Sequence, residues 1–123
     1  LVSNLVLGLN RAVLAEGLAF AERLGVDASM ALEVLKAGST CSRGVDNRGP
    51  RMLARDYTPE ARLSQHLKDV RLILKAAGEP LPLSAKHAEL LERAEELGLG
   101  ALDNSAIVEV FRAINSAKSD DSA

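Results

Sequence analysis

Apolar side chains occupy nearly every face of residues 1–24, and this stretch sets the expectation for the rest of the chain. Leu1, Val2, Leu5, Val6, Leu9, Val13, Ala19 and Phe20 recur at the three-and-four spacing of one helical stripe, while Leu7, Leu14, Leu18 and Ala21 cover much of the remainder. Such a helix is about 36 Å long, enough to act as a central post for shorter helices. Gly25 can end it in a left-handed conformation, and Asp27 can cap a second helix over 28–36, with Met30, Leu32, Val34 and Leu35 turned toward the post. Small and polar residues 39–44 read as a loop. A short helix follows over 45–54, with Gly49 and Pro50 expected to break or restart it because proline lacks an amide donor.

Thr58, Pro59 and Glu60 form a helix-start signal: a hydroxyl cap, a proline at the first helical position and an acid at the positive end of the dipole. The stripe Leu63, Leu67, Val70, Leu74 and Ala77 continues to Gly78. After the Glu79–Pro82 connector, a fifth helix over 84–97 is expected to face Leu83, His87, Leu90, Leu91 and Ala94 inward. Asp103 or Asn104 should cap a last helix to about Ile114, with Ile107, Val108, Val110 and Phe111 packed. No strand alternation persists. The pattern predicts an all-α helical bundle of about six helices around a long N-terminal helix, as one domain over 1–115 with a disordered tail over 116–123.

Composition narrows the function classes. Fifteen Lys and Arg against seventeen Asp and Glu, interspersed, give no basic face for nucleic acid or an anionic membrane. Asn10, Arg11, Glu16, Glu22 and Arg23 interrupt the first helix, which argues against a membrane span. A secretory signal would need a basic start, which is absent. The single Cys41 allows neither an internal disulfide nor a metal cage and suits a cytoplasmic setting. An amphipathic pattern already running at a first residue that is Leu is expected of a piece of a larger polypeptide.

No P-loop, GxGxxG, HExxH or nucleophile elbow is present, so the candidates for chemistry are single polar residues. Asn4 either bonds locally or faces a site shared with whatever precedes Leu1. Lys68 and Asp69 are either a solvated pair or point into a cleft. Arg43, Arg48 and Arg51 either grip an anion or form internal salt bridges. His66 and His87 read as packed or surface residues rather than bases, and Cys41 lacks a nearby base.

Three stretches in order, LVSNLVLGLNRAVLAEGLAFAERLGVD, GSTCSRGVDNRGPRML and DYTPEARLSQHLKDVRLILKAAGEPLPL, resemble the C-terminal domain of the β-hydroxyacid dehydrogenases, over about Leu1 to Ile114. The resemblance implies an all-helical partner to an N-terminal dinucleotide-binding domain, with NAD or NADP and a small hydroxy acid or semialdehyde bound in the cleft between them. It implies that Asn4 binds substrate and that Lys68 reaches the cofactor. The family's catalytic lysine would fall one residue before Leu1, so no catalytic residue is expected within residues 1–123. Ser3 stands where relatives often carry a second asparagine, and Ala61 where they usually carry an aromatic residue near the nicotinamide. The Arg48 to Leu53 run is expected to be structural. A homodimer through the first helix is expected, and a noncatalytic oligomerisation or interaction module of the same fold is the alternative.

Overall fold

The computed structural model describes residues 1–122, with side chains described through residue 117. Six α-helices follow one another: α1 (Val2–Arg23), α2 (Ala28–Ala37), α3 (Arg43–Ala54), α4 (Leu63–Ala77), α5 (Pro82–Glu96) and α6 (Val108–Ser122), with a 3-10 turn, η1 (Asn104–Ile107), before the last. Among the described residues there is no strand, only an isolated bridge between Arg62 and Asp103. The all-α bundle read from the sequence is the observed architecture. α6 continues through most of the segment expected to be a tail, and Ala123 lies outside the described residues.

α1 touches all five other helices, as a post should, but its faces differ from the expected pattern. The buried positions are Gly8, Ala12, Leu14, Ala15, Leu18, Ala19 and Ala21, whereas Leu1, Val2, Val6, Leu7, Val13 and Phe20 are exposed. Small side chains on the inner face let neighbouring backbones come close, so the helices gather on that side and leave the larger apolar residues outside. The post therefore stands at the edge of the bundle. By length and composition α1 is also the one described helix apolar enough to cross a membrane.

The joint after α1 forms as its residues dictate: Gly25 takes φ +78°, and the Asp27 carboxylate accepts from the amides of Ser29 and Met30. In α2 only Leu32 is fully buried, with Leu35 packed on the core, while Met30 and Val34 face outward, contrary to expectation. α3 is unbroken. Ser42 caps it two residues earlier than expected, Pro50 sits in mid-helix, and Gly49 lies against the Leu32 side chain. A single proline costs one amide bond but leaves the helix continuous when Val45 and Met52 on either side are locked in the core.

The helix-start signal at Thr58 is overridden. α4 begins at Leu63, and Thr58 instead binds the side chain of Asp56. The amides of Glu60 and Ala61 donate to the carboxylate of Asp103, and those of Leu63 and Ser64 to the carbonyls of Leu102 and Gly100, which hold residues 57–62 as an extended strap. α5 buries His87, Leu91 and Ala94 as expected but exposes Leu83 at its first turn. Asp103 caps η1, and Ile107, Val108, Val110 and Phe111 complete the core.

Candidate functional site

The crossing of α1 and α4 places Asn4 against Asp69, the neighbour of Lys68 in the chain. Asn4, in the first turn of α1, donates from Nδ2 to Asp69 Oδ2 at 3.3 Å, across 65 residues of chain. Asp69 also accepts from Gln65 Nε2 at 3.3 Å. Lys68 is exposed beside Asp69 and has no ion-pair partner among the described residues. Gln65, Lys68 and Leu72 line one exposed face of α4 at three-and-four spacing. Lys68 is exposed, while Asp69 is engaged by Asn4. The role of Asp69 was not legible, because nothing local in either helix records their crossing.

Gly8 makes that crossing close. A Cβ there would lie 2.7 Å from Cε1 of His66 and 3.0 Å from Cε1 of His87. We expect Gly8→Ala to lower stability by about 2 kcal/mol, overpacking outweighing the roughly 1 kcal/mol gained from helix propensity, and to weaken the Asn4 contact. Urea unfolding reads the first effect; a variant more stable than wild type would show that the histidine rings yield freely.

Beneath Gly8 lies a buried basic cluster that sequence reading missed. The His66 and His87 rings pack at a tilt of 51°, with centroids 5.3 Å apart. Burial, with the Arg11 guanidinium nearby, holds His66 at about 4, and burial with the His66 and Arg11 charges does the same for His87. Both are buried, the packed alternative of the sequence reading. Burial and the Arg48 charge bring Arg11 down to about 10, against the pull of Asp103. Arg11 Nε and Nη1 and His66 Nε2 have no hydrogen-bond partner among the described residues.

The arginines of α3 split. Arg48 Nε and Arg51 Nη1 each lie 3.2 Å from the Asp103 carboxylate, and both also pair with Glu60. These are internal salt bridges, the structural outcome. Arg43 is exposed and joins none of them. Cys41 is exposed, with Sγ 3.8 Å from Asp46 Oδ2. Among the described residues no group of His, Cys, Asp or Glu is placed to hold a metal ion.

A family profile described as NAD-binding of NADP-dependent 3-hydroxyisobutyrate dehydrogenase matches residues 1–111. Cytokine-like nuclear factor N-PAC of Aedes aegypti is 36% identical over 110 residues, covering 87% of this chain and 20% of that protein. Glyoxylate/succinic semialdehyde reductase 1 of Arabidopsis thaliana is 31% identical over 115 residues, covering 91% and 40% respectively. A crystal structure of 3-hydroxyisobutyrate dehydrogenase from Salmonella typhimurium superposes with TM-score 0.83 at 28% identity, over 89% of this chain and 39% of that one. The chain spans well under half the length of these relatives.

Proposed function

Because the chain belongs to the family of the NAD-binding domain of NADP-dependent 3-hydroxyisobutyrate dehydrogenase, we propose that it forms one wall of an interdomain active site in an NAD- or NADP-dependent β-hydroxyacid dehydrogenase. The observation that carries this reading is the placement of Asn4 against Asp69, next to an exposed Lys68. A bound nicotinamide cofactor exchanges a hydride with the substrate carbon. Lys68, exposed and charged, suits the polar side of such a cofactor. With its amide nitrogen engaged by Asp69, Asn4 presents its carbonyl oxygen, an acceptor for a substrate hydroxyl. Asp69 therefore acts as a positioning residue for Asn4.

Hydride arriving at a carbonyl leaves negative charge on oxygen, which needs a cationic proton donor. The family resemblance assigns that donor to a lysine outside residues 1–123, so we expect this chain alone to leave NADH and NADPH unoxidised. A dinucleotide-binding domain, a small hydroxy acid or semialdehyde, a cytoplasmic setting and a homodimer complete the proposal. In a full-length enzyme, Lys68→Met and Asn4→Ala should each lower kcat/KM by about 10- to 100-fold, a loss of roughly 1.4 to 3 kcal/mol, with the melting temperature unchanged. Wild-type turnover in both variants would sink the reading.

The similarity to a protein named as a nuclear factor rather than a dehydrogenase favours a second reading, a noncatalytic assembly module of the same fold. On that reading both substitutions are silent and no nicotinamide turnover accompanies the full-length protein.

A further inference from the structure

The side of α1 turned away from the bundle is apolar along its whole length. At about 100° per residue, Val2, Val6, Leu9, Val13, Gly17, Phe20 and the adjoining Leu24 fall within about 40° of one line. That line is opposite the one through Asn4, Gly8, Arg11 and Ala15, which faces the other helices. Val2 is 79% exposed and Val13 70%, and Val6, Phe20 and Leu24 are exposed as well. A core-facing helix needs one apolar face, and this one carries two.

The outer face has a symmetry of its own. Around Val13, Val6 and Phe20 lie seven residues to either side, Val2 and Leu24 eleven, and Leu9 and Gly17 four. Reversed end to end, the stripe matches itself: aliphatic on aromatic, aliphatic on aliphatic, and Leu9 over Gly17. A side chain at Gly17 would meet nothing within 4 Å, so an approaching leucine has room there. The same reversal sets Asn10 opposite Glu16 and Ser3 opposite Arg23, so no like charges oppose one another. Alongside runs a groove of about 560 Å³ with an apolar floor that includes Phe20, Leu90 and Phe111 and with Glu16, Arg23 and Lys86 also in its wall.

We propose that a second copy of this chain packs its α1 antiparallel against this stripe, with the two-fold axis at Val13. This deepens the homodimer proposed above by naming its face and register. A two-fold interface is self-complementary by necessity, and a palindromic apolar stripe is the one-helix form of that requirement. A stable dimer covers about 800 Å² on each partner. The helix face, about 33 Å long, approaches that only together with the α5 and α6 walls, where Leu83 and Ile114 are also exposed. The Asn4 site lies on the opposite side of α1 and stays open.

The register has a direct test. Packed helices lie 8–10 Å apart with Cα atoms about 2.3 Å off axis, which puts the two Val13 Cα atoms about 5 Å apart, within disulfide reach. In the 123-residue chain carrying Cys41→Ser, Val13→Cys should give a disulfide-linked dimer under mild oxidation at least tenfold faster than Val2→Cys. A mixture of the Val2→Cys and Leu24→Cys proteins should link to each other. Without added cysteines the chain should be a dimer by light scattering, and Val13→Glu a monomer. Faster self-linking of Val2→Cys, or a dimer that survives Val13→Glu, overturns this register while leaving a homodimer standing. A monomeric parent chain overturns both.

Discussion

Replacing Asp103 with alanine is expected to lower the stability of the fold by about 3–5 kcal/mol, the range for breaking a buried ion pair from one side. Asp103 is 0% exposed, and its carboxylate is surrounded. Oδ1 accepts from the amides of Glu60 and Ala61 at 3.0 and 3.2 Å, and Oδ2 from the amide and hydroxyl of Ser105 at 3.0 and 2.6 Å. Arg48 and Arg51 supply the countercharge. Burial pushes the carboxyl up, yet the bonds from Ser105, Glu60 and Ala61 outweigh it and hold it at about 2. Alanine would leave three amides without their acceptor and two part-buried guanidiniums with only the exposed Glu60 as shared countercharge. The 57–62 strap and η1 should loosen together, carrying the start of α4 with them. Against a total of roughly 5–15 kcal/mol for a domain, that is enough to populate the unfolded state. Asp103→Asn keeps the shape but turns an amide donor toward donors, so it should fall between alanine and wild type. Urea denaturation checks both; a loss of less than about 1 kcal/mol for alanine would show that water replaces the carboxylate.

The same carboxylate explains which parts of the fold were legible. Elements whose limits are set by their own residues could be read directly: Gly25 and Asp27 at the first joint, Gly78 after α4, Asp103 before η1. The Thr58 signal misled because Asp103, 45 residues away, claims the amides that a local cap would have left for a helix. Likewise Pro50 signalled a break that packing of Val45 and Met52 prevents. For α1 the apolar count was visible, but which stripe faced inward depended on the small residues Gly8, Ala12 and Ala15 against the neighbouring helices. The candidate site divides the same way. Asn4 and Lys68 could be named from the residues, with their roles coming only from a family resemblance, whereas the Asn4–Asp69 contact and the Arg11, His66 and His87 cluster exist only where helices cross. Arg11, in particular, looked like a charge that merely interrupted an apolar run.

That cluster predicts a stability that falls in mildly acidic solution, well before the carboxylates titrate. His66 is 6% exposed and His87 3%, and both are held at about 4 against an ordinary 6.5. In the unfolded chain each takes a proton as the pH drops through about 6.5, while the folded protein refuses it until about 4. Between those values the unfolded state binds more protons, so stability declines with falling pH. Above 6.5 both states are neutral and the dependence vanishes; below 4 both are protonated and these residues add nothing further. At about 1.4 kcal/mol per pH unit, the loss approaches roughly 3 kcal/mol for each histidine. Because the His66 charge itself contributes to the shift at His87, the pair loses less than twice that. The groups facing the rings are Arg11 from α1, which opposes protonation, and Asp69 from α4, which favours it at His66 alone. The Arg11 guanidinium, two of whose donors have no partner among the described residues, already places one positive charge there, so a protonated ring adds a second cation beside it. Melting temperatures recorded from pH 7.5 to 4.5 should therefore fall steadily, and His87→Leu should flatten the profile between 6.5 and 4. A wild-type melting temperature that stays constant across that interval would mean that the rings are hydrated and titrate as they do in the unfolded chain.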